Sequence, residues 1–126
     1  MEHILYADGN EKRIAWAIKT EKILNEQFRD HVDTYVDKVS KIQSKYIALH
    51  VSMFWGIGVF IIKNHDTIRM KLDSAEMIKH LSSDFRSHDM LAEHRKRSIN
   101  QLATQRNLNL IYESIKSEEN MATKML

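Results

Sequence analysis

One uncharged segment, IALHVSMFWGIGVFII at residues 47–62, constrains the fold of this chain more than any other feature. His50 is its only ionisable residue, and Lys45 and Lys63 close it off on either side. Apolar side chains fall on every face of a helix built from this segment, whereas a helix on the outside of a small bundle keeps a polar stripe. The segment therefore predicts either a membrane-spanning helix or the buried central helix of a soluble bundle.

The flanks and the small residues of this segment favour the membrane. With Tyr46 included, it makes about 25 Å of helix, the short end of what crosses ~30 Å of hydrocarbon. Tyr46 suits the headgroup region, and the two flanking lysines can extend their ammonium groups to water. A ridge of small residues recurs every four positions and would let a second helix approach closely in lipid; it consists of Ala48, Ser52 and Gly56. We therefore expect a single-pass span over residues 46–62, in either a bacterial or a mitochondrial inner membrane.

Residues that break helices or form tight turns are scarce in this chain. It has no proline and only three glycines among 126 residues. An all-β or α/β fold needs more turn residues than this, so few, long helices are expected. The stretch Asp8-Gly9-Asn10-Glu11 predicts a turn into the first helix, with Asp8 or Asn10 as its cap and Glu11 placed as in a capping box.

A heptad-like seam precedes the apolar segment. Its apolar residues are spaced by alternating steps of four and three, opposite a charged face; they are Phe28, Val32, Tyr35, Val39, Ile42 and Tyr46. The spacing predicts either an amphipathic helix that packs on its own chain or a coiled coil with a second copy or a partner. Because no proline or glycine interrupts the passage into the apolar segment, we expect one helix of ~75 Å from about residue 11 to residue 62.

The expected fold is therefore all-α and elongated. Residues 1–10 form a tail and helix cap, and residues 11–45 form the long N-terminal amphipathic helix. Residues 46–62 form the apolar transmembrane helix, and residues 63–126 form a C-terminal helical region with a frayed end. Two further apolar stripes after residue 67 support helices in this last region.

Candidate sites outside the span are weak. Arg95, Lys96 and Arg97 form a basic cluster that could contact phosphates, but no aromatic residues lie between the charges to stack on bases. Four residues share one face of a predicted helix at a spacing that suits a divalent metal; they are Glu76, His80, Asp84 and His88. Because no second helix is seen to supply more ligands, a solvated helix face is the simpler interpretation. His50 is interpreted as a hydrogen-bonded residue of a helix interface.

Signatures of catalysis are absent from the sequence. The chain has no cysteine, no glycine-rich phosphate loop and no Gly-x-Ser-x-Gly elbow. We therefore predict a protein that is not an enzyme and that has neither a metal nor a cofactor. The formal net charge of +2 is too small to indicate nucleic acid as a partner.

The predicted function is structural. We expect a scaffold or accessory subunit of a membrane complex, which contacts lipid and binds other subunits or a second copy of itself through the seam and the small-residue ridge. The alternative is a soluble helical-bundle oligomer. In that case residues 47–62 form the shared core, and the basic cluster of residues 94–97 binds an acidic protein or nucleic acid.

Overall fold

The structure, a computed structural model that describes all 126 residues, contains a five-stranded sheet and three α-helices. The elements are β1 (Glu2–Gly9), β2 (Arg13–Thr20), β3 (Ile23–Asp30), α1 (Lys41–Gly58), β4 (Thr67–Leu72), α2 (Ala75–Leu81), α3 (Met90–Arg106) and β5 (Asn109–Ser114). Short 3-10 turns at Ser117–Glu119 and Thr123–Met125 end the chain. The prediction of an elongated all-α fold is therefore wrong.

The strands lie in the order β3-β2-β1-β4-β5. The first three strands form an antiparallel meander, whereas β4 runs parallel to β1 and β5 runs parallel to β4. Leu5 pairs with Ile18 on one side and with Met70 on the other, so β1 is the central strand. As a result, the carboxyl ends of β1 and β4 lie side by side at one edge of the sheet.

The β2–β3 hairpin shows why the helix prediction failed over the first quarter of the chain. All residues from Ile14 to Ile18 are buried, so β2 lacks the alternation that marks a half-exposed strand. The turn is formed by Glu21 and Lys22, and Glu21 adopts a positive φ of 55°. Glycine or asparagine usually supplies that conformation. Because neither is present, the sequence carries no signal for this hairpin.

The heptad-like seam is divided among three segments of the structure. Its members lie in β3 (Phe28), in the connection of residues 31–40 (Val32, Tyr35 and Val39) and in α1 (Ile42 and Tyr46). Phe28 and Val32 are 51% and 62% exposed. The four–three spacing therefore crosses element boundaries, and the predicted coiled coil is wrong.

The apolar segment of residues 47–62 is a helix packed on a sheet. Ile47, Leu49 and Met53 on α1 are almost fully buried against the strands, while Phe54 on the opposite side is 66% exposed. No helix in the structure has both the length and the apolar character that a membrane crossing demands. The predicted membrane span is wrong, and so are the membrane location, the lipid contact and the scaffold role that depended on it. The helical-bundle alternative is wrong as well, because a sheet covers this helix.

The ridge of small residues lies on the buried face of α1. A Cβ atom added at Gly56 would lie 2.7 Å from the Cδ1 atom of Ile62 and 3.1 Å from that of Ile18. Ala48 and Ser52 on the same face are fully buried. In this fold, the small side chains let α1 approach the sheet and the segment that follows the helix.

α3 packs beside α1, and His50 belongs to that contact. The Arg95 guanidinium donates to His50 Nδ1 at 2.9 Å and to the Tyr35 hydroxyl at 3.0 Å. Burial, together with the positive charges of Arg95 and His94, lowers the pKa of His50 to about 4. His50 is therefore neutral in the folded protein at neutral pH.

Replacing His50 with glutamine is expected to make the fold less sensitive to mild acid. A free histidine has a pKa of ~6.5, so between that value and the folded-state pKa of about 4 only the unfolded chain binds the proton. The stability due to neutral His50 is full above ~pH 6.5 and is lost as the pH falls toward 4. Because the side chain is only half-buried, the loss should be about 1–2 kcal/mol. Urea unfolding near pH 4.5 and near pH 7 measures this loss of stability. Equal losses between the two pH values in the wild type and in His50→Gln would contradict the prediction.

Candidate functional site

Two buried aspartates end neighbouring parallel strands. Asp8 is the penultimate residue of β1, and Asp73 directly follows β4. Their side chains are 7% and 3% exposed. In open α/β sheets, ligands bind outside the carboxyl ends of the strands, which is where these two carboxylates lie. The topology thus brings together two acidic groups that are far apart in the sequence.

The ammonium group of Lys45 lies between the two carboxylates. Its Nζ atom is 2.6 Å from Asp73 Oδ1 and 3.6 Å from Asp8 Oδ1. Buried carboxylates need partners of this kind, because an unpaired charge out of water is costly. One positive charge faces two negative charges, so the three residues together carry a net negative charge. We refer to Asp8, Lys45 and Asp73 as the acidic site.

A close approach between α1 and β1 positions Lys45. A Cβ atom added at Gly9 would lie 2.2 Å from Ser44 Oγ and 2.8 Å from the Ser44 backbone carbonyl. Only glycine therefore lets α1 come this near to the end of β1. A capping box between Ser40 and Gln43 fixes the first turn of the helix. Lys45, which directly follows Ser44, is thereby held over the two aspartates.

The C-terminal segment closes the other side of the acidic site. The Asn120 amide donates to the Ala7 carbonyl at 3.1 Å and to Asp73 Oδ2 at 3.2 Å. The Thr123 hydroxyl donates to Asp8 Oδ2 at 2.5 Å. The backbone N–H of Gly9 donates to Asp8 Oδ1 at 2.8 Å. Each of the four carboxylate oxygens therefore has a donor from the chain itself.

Solved structures of ribonucleases resemble this fold over nearly its whole length. RNase H1 from the archaeon Halobacterium salinarum NRC-1 matches with a TM-score of 0.78 and 15% identity, over 98% of this chain and 96% of that one. The N-terminal RNase H domain of a Mycobacterium tuberculosis protein matches with a TM-score of 0.73 and 12% identity, over 98% and 88% of the two chains. LC11-RNase H1 in complex with an RNA/DNA hybrid, an enzyme isolated from compost, matches with a TM-score of 0.71 and 17% identity, over 97% and 91%.

The chain has an RNase H-like fold. At these identities the likeness extends to the fold alone, and no family model and no curated protein matches the sequence. The matches to nucleases nevertheless contradict two predictions made from the sequence. One was that the chain is not an enzyme, and the other was that its partners are membrane subunits or a second copy of itself rather than nucleic acid.

The acidic site of this RNase H-like fold does not fit a divalent metal ion as it is arranged. Enzymes that cleave phosphodiesters often hold two metal ions between carboxylates. Here the chain has no group of three or more histidine, cysteine, aspartate or glutamate residues placed to hold a metal. The Lys45 ammonium lies between Asp8 and Asp73. Asn120 directs its amide N–H toward Asp73, while its oxygen accepts from the Ala122 N–H at 3.0 Å.

The four residues whose spacing suits a divalent metal do not share one helical face; they are Glu76, His80, Asp84 and His88. α2 ends at Leu81, so Asp84 and His88 lie in the loop that follows. His80 is buried and contacts the Tyr46 hydroxyl at 2.6 Å through Nδ1 and a Glu93 carboxylate oxygen at 2.5 Å through Nε2. This buried chain of hydrogen bonds joins α1, α2 and α3.

The basic cluster predicted from the sequence lies on α3. Arg95 is turned toward His50 on α1, and Lys96 donates to the carbonyl oxygens of Ser83 and Phe85 at 2.6 and 3.2 Å. Arg97 is exposed and lines a shallow cleft together with Arg86 and Lys96. The α3 helix begins near the acidic site, because Gln43 in the first turn of α1 donates to its N-cap, Asp89, at 3.0 Å.

The residues of the acidic site were not predicted from the sequence. Asp8 was interpreted as a helix cap and Lys45 as the flank of a span, while Asp73 and Asn120 were not considered. One signal was present, because β4 (TIRMKL) alternates polar and apolar residues and is followed at once by Asp73. β1 carries no such signal, because its residues before Asp8, HILYA, do not alternate between polar and apolar types. One alternating segment followed by an aspartate indicates a strand with a polar end, but it does not identify the strand that lies beside it.

Proposed function

We propose that this chain binds an RNA/DNA hybrid and cleaves a phosphodiester bond of its RNA strand at the acidic site. The observation that carries the proposal is the pair of buried aspartates, with Lys45 between them, at the carboxyl ends of β1 and β4. The RNase H-like fold supports it, since LC11-RNase H1 was solved in complex with an RNA/DNA hybrid and matches 97% of this chain.

The residues of the acidic site have the chemistry that phosphodiester cleavage requires. A lysine ammonium can contact a phosphate oxygen and stabilise the negative charge that increases in the transition state. A carboxylate can accept the proton of an attacking water molecule. Asp73 lies closer to Lys45 than Asp8 does. We therefore assign Asp73 the orientation of the ammonium and Asp8 the role of general base.

Two exposed arginines, one on α3 and one in the loop before it, would extend the contact along the nucleic acid. Arg86 and Arg97 are both exposed, and neither forms an ion pair with an acidic residue. Arg97 lies on α3 and Arg86 lies in the loop before it, and Asp84 and Glu93 also line their cleft. The start of α3 is joined to the first turn of α1. Arginines so placed bind backbone phosphates without reading the bases.

Reversing these two charges is expected to weaken hybrid binding without changing the fold. The double variant Arg86→Glu/Arg97→Glu should lower affinity about tenfold near 50 mM salt and reduce the salt slope by ~1–2. The matched control is Lys19→Glu/Lys22→Glu, which changes net charge equally at exposed positions near the amino end of β1. Fluorescence anisotropy at several salt concentrations measures the affinity and the salt slope of both variants. Equal losses of affinity in the two variants would show that net charge, and not these two arginines, drives binding.

A direct test uses a hybrid with a label on its RNA strand and a DNA duplex of the same sequence. We expect the folded protein to bind the hybrid and to shorten the RNA strand, and to leave the DNA duplex intact. Absence of both binding and cleavage would overturn the proposed function. Binding without cleavage would overturn its catalytic part and leave recognition of the hybrid.

A further inference from the structure

Lys45 is the residue that sets this acidic site apart from a pair of carboxylates built to hold a metal. We infer that Lys45 serves as the cation of the site, so that it keeps divalent metal ions off Asp8 and Asp73 and supplies the positive charge that contacts the phosphate. The exclusion of metal follows from the chain's own geometry. The contact with phosphate rests in addition on the proposed function.

The contacts of the carboxylates support the exclusion of metal. A divalent ion on this pair would need carboxylate oxygens that already accept from Lys45, Asn120, Thr123 and the backbone of Gly9. It would also have to displace an ammonium held at 2.6 Å by a carboxylate that is itself 3% exposed. Two like charges so close together would raise the free energy of that state. The cost of admitting the metal is therefore high while Lys45 is present.

The position of Lys45 also supports its contact with phosphate. Its side chain is 21% exposed, so Lys45 is not sealed off from solvent while the aspartates hold its ammonium group. The close fit of Gly9 against Ser44 fixes the helix turn that carries it. A preorganised cation of this kind stabilises developing charge without having to be reoriented during the reaction.

The reaction can be written with these residues and water alone. The water oxygen forms a bond to phosphorus as Asp8 takes one of its protons. The bond between phosphorus and the leaving ribose oxygen breaks, and that oxygen takes a proton from the Lys45 ammonium. The proton on Asp8 then passes through solvent to Lys45, which restores both charges. The products are a phosphate monoester and a free hydroxyl group, so no further reactant is needed.

The exclusion of metal is tested with Mn²⁺ alone, by the paramagnetic broadening of backbone amide signals. In the wild type, the amides of Gly9 and Ser74 should not broaden selectively at millimolar Mn²⁺. In Lys45→Glu and in Lys45→Met they should, with an apparent affinity at least about tenfold higher. Lys41→Glu is the matched control, because it changes an exposed lysine in the first turn of the same helix. Selective broadening in the wild type as strong as in Lys45→Glu would overturn the inference.

Hybrid cleavage with and without EDTA tests the second half of the inference. Wild-type cleavage should persist in EDTA. The cleavage rate of Lys45→Met should be lower than that of the wild type by ~100-fold or more, both with and without EDTA. Cleavage that needs Mg²⁺ in the wild type and survives in Lys45→Met would overturn the assigned role of Lys45. If the wild type neither binds nor cleaves the hybrid, the proposed function fails, while the Mn²⁺ titration still decides whether Lys45 excludes metal.

Discussion

Replacing Asp73 with asparagine is expected to reduce cleavage of an RNA/DNA hybrid by ~100-fold or more. Asparagine keeps the shape of the side chain and loses the charge that holds Lys45 at 2.6 Å. The ammonium is then free to move away from the position in which it meets the phosphate. Single-turnover cleavage at saturating protein separates this loss from any change in binding.

The control for this variant is Asp33→Asn, which neutralises an exposed aspartate in the connection between β3 and α1. It should cleave like the wild type. Circular dichroism and thermal unfolding of Asp73→Asn must show a folded chain, because removal of one partner leaves Lys45 with Asp8 alone. A folded Asp73→Asn protein that cleaves at the wild-type rate would place the chemistry elsewhere.

The second large effect is expected from Gly9→Ala. The added methyl group would lie 2.2 Å from Ser44 Oγ and 2.8 Å from the Ser44 backbone, so the start of α1 must move. We expect a loss of about 1–3 kcal/mol in the free energy of unfolding. Because Lys45 follows Ser44, hybrid cleavage should fall as well. Urea unfolding and the cleavage assay on the same preparation measure the two effects.

Two companion variants make this result specific. Gly58→Ala adds the same methyl group where no atom lies within 4 Å, so it should be neutral or slightly stabilising. The double variant Gly9→Ala/Ser44→Ala removes the hydroxyl clash but keeps the backbone clash at 2.8 Å, so it should recover only part of the lost stability. Equal stability of Gly9→Ala and Gly58→Ala would contradict the close approach of α1 to β1.

Part of this fold can be predicted from local patterns. The alternation in β4 (TIRMKL) follows from residue spacing alone, and α1 (Lys41–Gly58) lies within the helix expected up to residue 62. The β2–β3 hairpin does not, because Glu21 takes a left-handed conformation that its residue type does not indicate. The buried strand β2 also lacks alternation, so it merges with its neighbours into what resembles a long helix pattern. Scarcity of glycine and proline is thus a poor guide when ordinary residues make the turns.

The acidic site could not be predicted from spacing, because it depends on strand order. Asp8 and Asp73 meet only since β4 pairs in parallel with β1, and Lys45 joins them only since α1 crosses that edge of the sheet. Asn120 and Thr123 come from the C-terminal segment, which the sequence presents as a frayed end. None of these pairings leaves a periodic signal in the sequence.

The most direct test of the central claim locates an RNA/DNA hybrid on the protein by backbone amide chemical shifts. Titration of ¹⁵N-labelled wild-type protein with a short hybrid should move the amides of Gly9, Lys45, Ser74 and Asn120 most, and those along the exposed side of α3 to a smaller extent. The amides around Glu21 in the β2–β3 turn should stay in place. Shifts that are confined to that turn, or no shifts at millimolar hybrid, would contradict the assignment of nucleic-acid binding to the acidic site.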